Sequence, residues 1–185
     1  MDPRGSTDAS PVTECRCTTE IRVERFNFTW EIKNFSFCQT EVGQSLDSQT
    51  FSVGAKNETT WRLKVYPKGK TEESKDYLSP YATLVASTLK EARVQLRFYA
   101  VAANGQRVPK VSGFDSKVFT FIPGVAIGVL KFLPHEYLLN DRNGLLPGDK
   151  LTILCEGTVA QGLYTLQVAS IGQGQNGCDV TAVLC

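Results

Sequence analysis

Apolar and polar residues alternate with a period of two through much of this chain. In Arg93-Val94-Gln95-Leu96-Arg97-Phe98-Tyr99-Ala100-Val101, Val94, Leu96 and Phe98 share one face. A two-residue period places alternate side chains on opposite faces of a strand. The same pattern runs through residues 60–66, where Trp61, Leu63 and Val65 are the apolar set. In residues 21–32 the apolar positions are Ile21 and Val23, then Phe26, Phe28, Trp30 and Ile32. The phase slips at Glu24-Arg25, so a bulge or strand break is expected there. Further strands are expected at residues 50–53, 82–87, 93–102, 117–122 and 150–156, with residues 163–168 able to add another. Asn104-Gly105 is a hairpin-turn signal. Only residues 130–139 invite a helix, with Pro134 in its first turn, Glu136 favouring its N-terminal dipole and an end before Asp141-Arg142-Asn143-Gly144. Many short strands and one short helix predict an all-β fold, an antiparallel β-sandwich.

A length of 185 residues fits one domain with tails. Residues 1–19 are small and polar and are expected to form a disordered arm; residues 20–161 are expected to form the domain. Residues 162–185 form a glycine-interrupted tail of low charge, with the last fifteen expected outside the fold. Twenty basic and 19 acidic side chains give a net charge of +1, which offers no electrostatic basis for binding nucleic acid or an anionic membrane. Apolar runs such as residues 125–130 fall far short of the roughly 20 residues of a membrane helix. The first residues lack a signal-peptide pattern, so the nucleus and/or cytoplasm are the expected locations. On that reading, the acceptor patterns at Asn27, Asn34 and Asn57 are chance matches.

Of six cysteines, Cys15 and Cys17 lie in the arm and Cys178 and Cys185 in the tail. Cys38 and Cys155 are flanked by apolar residues and are expected to be buried thiols. The Cys15-Arg16-Cys17 spacing is too tight for a zinc knuckle, and no metal or cofactor is expected. His135 is the only histidine and gives no credible Ser/His/Asp or Cys/His set, although that count does not exclude a carboxylate enzyme. Gly124-Val125-Ala126-Ile127-Gly128 lacks the residues of a phosphate loop. The chain is expected to bind rather than catalyse. The stretch of residues 66–81 draws attention: two strands joined by a charged connection would present Tyr77 and Tyr81 at a sheet edge, where aromatic groups can line a groove for an extended peptide.

Three longer runs carry a family resemblance. They are Trp30-Glu31-Ile32-Lys33-Asn34-Phe35-Ser36-Phe37-Cys38, Glu72-Glu73-Ser74-Lys75-Asp76-Tyr77-Leu78-Ser79 and Asn143-Gly144-Leu145-Leu146-Pro147-Gly148-Asp149-Lys150-Leu151-Thr152. From about residue 17 to 161 the chain resembles a MATH domain, the TRAF-like sandwich, of the speckle-type POZ protein and TD-and-POZ group. The resemblance implies a substrate receptor whose groove takes an extended client segment, apolar residue first and Ser/Thr-rich positions after. In that group a following BTB/POZ domain recruits a cullin-3 ubiquitin ligase. Residues 162–185 resemble neither the linker nor that domain, so direct cullin-3 binding is not expected of this chain, and a monomer is.

Carried over residue by residue, the groove falls on Lys64, Tyr81, Leu96, Phe119, Ile127, Gly128 and Val129. Tyr81 matches the group's groove tyrosine. Lys64 replaces an arginine and loses its bidentate fork. Leu96 stands for Phe and Phe119 for Tyr. The group's Lys-Asp-Trp-Gly-Phe-Lys is Val125-Ala126-Ile127-Gly128-Val129-Leu130 here, so only Gly128 survives. Two aromatic walls become Ile127 and Val129. Losing these anchors implies either an altered client preference or lost binding. The alternatives are a structural or decayed MATH domain that binds no peptide, with Tyr81, Leu96 and Phe119 merely packing a sandwich edge, or an oligomerisation module. A MATH-containing ubiquitin protease would need a Cys/His domain for which the chain has no room.

Overall fold

Trp61 is fully buried, and its indole N–H donates to the Thr59 hydroxyl at 2.8 Å. Phe121 meets it edge-on at 5.0 Å and Phe26 lies over it at 6.3 Å. Around this aromatic group, Leu63, Val65, Leu84, Val94, Leu96, Leu151, Ile153 and Cys155 form a core of fully or almost fully buried side chains. The computed structural model describes residues 18–54, 58–108, 114–166 and 183–184.

The strands are β1 (Thr18–Lys33), β2 (Leu46–Asp47), β3 (Phe51–Val53), β4 (Thr59–Tyr66), β5 (Tyr77–Ser87) and β6 (Ala92–Val101). They continue as β7 (Arg107–Val108), β8 (Val118–Phe121), β9 (Ala126–Gly128), β10 (Leu133–Pro134), β11 (Lys150–Leu166) and β12 (Val183–Leu184), with a single α-helix, α1 (His135–Leu138), among the described residues. One sheet runs β1-β11-β6-β7, with β8 also on β6 and β12 on β11. The other runs β10-β5-β4-β2, with β3 also on β4 and β9 on β5. The pairings of β4 with β2, β3 and β5, of β5 with β9 and β10, of β6 with β7, β8 and β11, and of β11 with β12 are antiparallel. The chain divides into a large unit, residues 23–161, and a small one, residues 1–22 with 162–185. In the small unit, Val183 and Leu184 pair with Thr165 and Tyr164. The expected arm lies almost wholly outside the described residues, as do residues 167–182.

In the large unit the two sheets bury facing sides, which is the expected antiparallel sandwich. Val94, Leu96 and Phe98 face inward from β6, as their alternation requires. The hairpin falls at Asn104-Gly105: the Gly105 N–H donates to the Ala102 carbonyl at 2.8 Å, and the Asn104 side chain accepts from the Gln106 N–H at 2.9 Å. Two runs that carried the resemblance meet in space. The Asp149 carboxylate accepts from the Ser36 N–H at 2.8 Å and its hydroxyl at 2.6 Å, while the Phe35 N–H donates to the Asp149 carbonyl. Asp149 sits at φ 58°, a left-handed conformation that Asp tolerates better than most residues.

Several local expectations need correction. Strand β1 is continuous, so Ile21 and Val23 fall on the exposed face with Arg25 and Asn27 instead of being brought into phase by a bulge. The register shift lies between β4 and β5, where Val85 is the extra residue opposite Thr60-Trp61. The helix is one turn long and begins after Pro134, because Leu133 and Pro134 pair with Leu78 and Tyr77 as a strand. Cys155 is fully buried, and burial pushes its thiol far above the ordinary range; Cys38 is only half-buried.

Gly157 on β11 fixes how closely β1 approaches. A Cβ there would lie 2.1 Å from the Phe26 ring, which is itself held by Phe51 at 5.5 Å and by Trp61. Gly157→Ala should destabilise the domain by about 1–3 kcal/mol through overpacking. Urea denaturation should show a lower midpoint with an unchanged slope; an unchanged midpoint would contradict this packing.

Candidate functional site

Burying Trp61, Leu63 and Val65 forces Arg62, Lys64 and Tyr66 onto the outer face of β4. Register then extends Lys64 into a row across four strands: Asp47 on β2, Lys64 on β4, Tyr81 on β5 and Gly128 on β9. Directly paired residues on one face have neighbouring side chains. The Asp47 carboxylate accepts an ion pair from Lys64 at 3.1 Å and a longer one from Arg62 at 3.6 Å. Burial pushes that carboxyl up, but hydrogen bonds from Ser45 and Lys64 and the two cationic charges outweigh it and hold it below the usual range.

Tyr81 lies in the body of the sheet, paired by β4 on one side and β9 on the other. It is not at a sheet edge, and its aromatic partner is Tyr66 rather than Tyr77. The Tyr66 and Tyr81 rings meet edge-on at 5.5 Å. The Lys70 ammonium lies 4.2 Å from the Tyr81 ring centroid and 5.8 Å from that of Tyr66. Both rings are about 8% exposed, and neither hydroxyl has a partner among the described residues. Tyr77 instead belongs to the β10 side, with Lys131 5.9 Å from its ring.

The Tyr81 ring lies across Gly128. A Cβ at Gly128 would be 2.1 Å from the Pro80 carbonyl oxygen and 2.5 Å from Cγ of Tyr81. Only glycine lets β9 close against β5 beneath that ring. The Val129 N–H donates to the Pro80 carbonyl, and the Leu84 N–H donates to the Val125 carbonyl. Within β9 and just after it, Ile127 and Val129 therefore turn backbone groups toward β5. Alternation directs those of Ala126 and Gly128 away from it. Among the described residues β9 pairs with β5 alone, so this is a free strand edge beside Tyr81.

Six of the seven expected residues thus fall into two sets. Lys64, Tyr81 and Gly128 share the outer face. Ile127 pairs with buried Ala82, Phe119 pairs with buried Val94, and Val129 is about 8% exposed, so these three face the sandwich interior near β8 and β9. Phe119 and Ile127 are half-buried, and Phe114 packs on Phe119 at 4.8 Å. Leu96 is 0% exposed in the core and offers no surface to a ligand, which corrects its place in the groove. Its leucine side chain is enclosed by the interdigitating faces of both sheets.

Lys70, Tyr66, Arg62 and Asp47 were missed. The outward positions of Arg62 and Tyr66 follow from the alternation of β4, but nothing in the sequence signals that Lys70 caps Tyr81. His135, half-buried at the start of α1, bonds through Nε2 to the Pro67 carbonyl at 2.5 Å and so helps fix the connection that carries Lys70. Among the described residues, no three His, Cys, Asp or Glu side chains converge on a metal-sized site. A separate depression of about 390 Å³ lies on the outer face of the other sheet between Arg25, Gln95, Arg97 and Thr158, away from every expected residue.

A family model for the MATH domain matches residues 27–156. This chain belongs to the MATH domain family. Among solved structures it is similar to TRAF5 of Notothenia coriiceps, at 17% identity and a TM-score of 0.46, over 81% of this chain and 76% of that one. MATH domains are typically protein-interaction modules, and the TRAF-like sandwich is the architecture expected of one.

Two outcomes follow for this MATH domain. Burial, and then the neighbouring Tyr66, raise the Tyr81 phenol above its ordinary value of about 10. The folded state therefore favours the neutral phenol: its stabilising effect is full below the unfolded value and is lost as pH rises through the folded one. In an alkaline absorbance titration, Tyr81→Phe should remove a late-titrating tyrosine; loss of an early one would contradict the assignment. Gly128→Ala should displace β9 from β5, raising amide exchange at Ile127 and Val129, whose N–H groups face β5, whereas wild-type exchange there would show that Tyr81 does not cover this backbone.

Proposed function

We propose that this MATH domain is a client receptor that binds extended protein segments along β9, beside the Lys64–Tyr81–Gly128 row. The observation that carries this reading is the free β9 edge next to a nearly enclosed tyrosine pair. An added strand would hydrogen-bond to the outward backbone groups of Ala126 and Gly128, the mode by which sheet edges capture peptides. Alternate ligand side chains would then meet the Tyr81 face. The half-buried Phe119 and Ile127 supply apolar surface near the same edge for a leading apolar residue. No catalytic role is assigned to any of these groups.

The three matching runs support a place near the speckle-type POZ protein group, in which the domain selects clients for a cullin-3 ubiquitin ligase. On this reading the chain supplies recognition, with Ser/Thr-containing client segments as its ligands and the nucleus or cytoplasm as its setting. The absence of the group's Trp and Phe at Ile127 and Val129 shifts weight from aromatic anchors to backbone pairing and to Tyr81.

The test is fluorescence anisotropy of the full chain against short Ser/Thr-rich peptides with an apolar leading residue. An interface aromatic commonly contributes about 2 kcal/mol or more, roughly thirtyfold in Kd. Tyr81→Ala should weaken saturable binding by at least about that factor. Ala126→Pro removes one outward N–H without taking a hydrogen bond from β5, and should weaken binding while circular dichroism stays unchanged. A folded wild type that binds no peptide, or binding indifferent to both substitutions, would exclude this receptor reading.

A further inference from the structure

Three cations surround Tyr81, and only one carboxylate answers them. Lys64 is its direct cross-strand neighbour, Arg62 lies one outward position further along β4, and Lys70 rests over the ring. Asp47 engages both Arg62 and Lys64. From the other elements around this face, β5 contributes Ser79 and Thr83, and β9 contributes Ala126 and Gly128. In the connection between β4 and β5, Glu72 is taken by Lys75 at 2.9 Å. Glu73 and Asp76 are exposed and make no ion pair with Lys70. Setting Arg62, Lys64 and Lys70 against Asp47 leaves two positive charges in excess beside the ring.

Lys70 differs from the other two cations. Its ammonium is held by aromatic faces alone, a contact weaker than a charge-assisted hydrogen bond. The Nε of Arg62 is sequestered without a partner, and so is the hydroxyl of Thr83 opposite it on β5. Those two atoms are buried and out of a ligand's reach; what the surface beside Tyr81 carries is an unpaired ammonium and two phenol hydroxyls free of internal partners. A neutral Ser/Thr segment would satisfy few of them.

Resting on the receptor reading above, we propose that the site selects an extended segment bearing a phosphate or carboxylate group next to the residue that covers Tyr81. Lys70 is the specificity-determining residue. On binding, its ammonium turns from the rings to the anionic group while Lys64 approaches from the β4 side. Phosphate and carboxylate share this chemistry, and phosphate adds charge and acceptor oxygens.

The experiment uses the full chain and three peptides of one Ser/Thr-rich sequence, with serine, aspartate or phosphoserine at one position scanned along the segment. Anisotropy titrations are run at low and high salt. At the best position, phosphoserine or aspartate should bind at least about fivefold tighter than serine, and salt should reduce the ratio. Lys70→Gln should bring that ratio close to one. A gain for phosphoserine alone assigns a phosphate ligand, and a similar gain for both assigns a general anion site. Serine binding as tightly as the other two, or a preference that survives Lys70→Gln, overturns this proposal and leaves the receptor reading standing. Failure of all three peptides to bind folded wild type overturns both.

Discussion

The inward turn of Trp61, Leu63 and Val65 decides the outer face of β4, and much of the candidate site follows from it. A strand has a side-chain period of two, so a slip of one residue would bury Arg62 and Lys64 and expose the tryptophan. The loss would include the indole's hydrogen bond to Thr59 and the packing of Phe26 and Phe121 around it. Register is therefore strongly fixed at β4. β5 inherits that register through Lys64 and Tyr81, and β9 inherits it through Tyr81 and Gly128. The surface row is a consequence of core packing.

Glycine at position 128 converts this register into a usable edge. With no Cβ, β9 closes against β5 under the Tyr81 ring, which stays nearly enclosed while its strand neighbour keeps outward backbone groups. The ring is a rigid surface held by Tyr66, Gly128 and Lys70. Such preorganisation lowers the ordering cost of binding. On the receptor reading, Tyr81 takes over the aromatic role in a domain whose Ile127 and Val129 face inward.

Much of the fold was legible because long strands with one buried face repeat their signal. The alternations at Trp61 to Val65 and Val94 to Phe98 identified the central strands, and Asn104-Gly105 marked the hairpin. Short elements were not legible. β9 and β10 have three and two residues, too few to display a period, and β10 took Leu133 and Pro134 from the expected helix. The slip before Phe26 was resolved by exposing Val23, a choice that depends on neighbours absent from the local pattern. For the site, Lys64, Tyr81 and Gly128 fell on one row, as residues of a common surface must. Leu96 was drawn into the groove by correspondence, although its own alternation with Val94 and Phe98 already placed it in the core. Lys70 escaped because its contact depends on how a nonrepetitive connection folds back over β5.

The most direct test of the central claim is residue-resolved amide hydrogen exchange of the full chain, with and without a saturating extended peptide. Ala126 and Gly128 have outward N–H groups at the β9 edge. The account predicts that these two amides gain protection on peptide addition, while those of Arg25 and Asn27 on the far sheet do not. Protection on the far sheet, or peptide binding that leaves Ala126 and Gly128 exchanging as before, would contradict it.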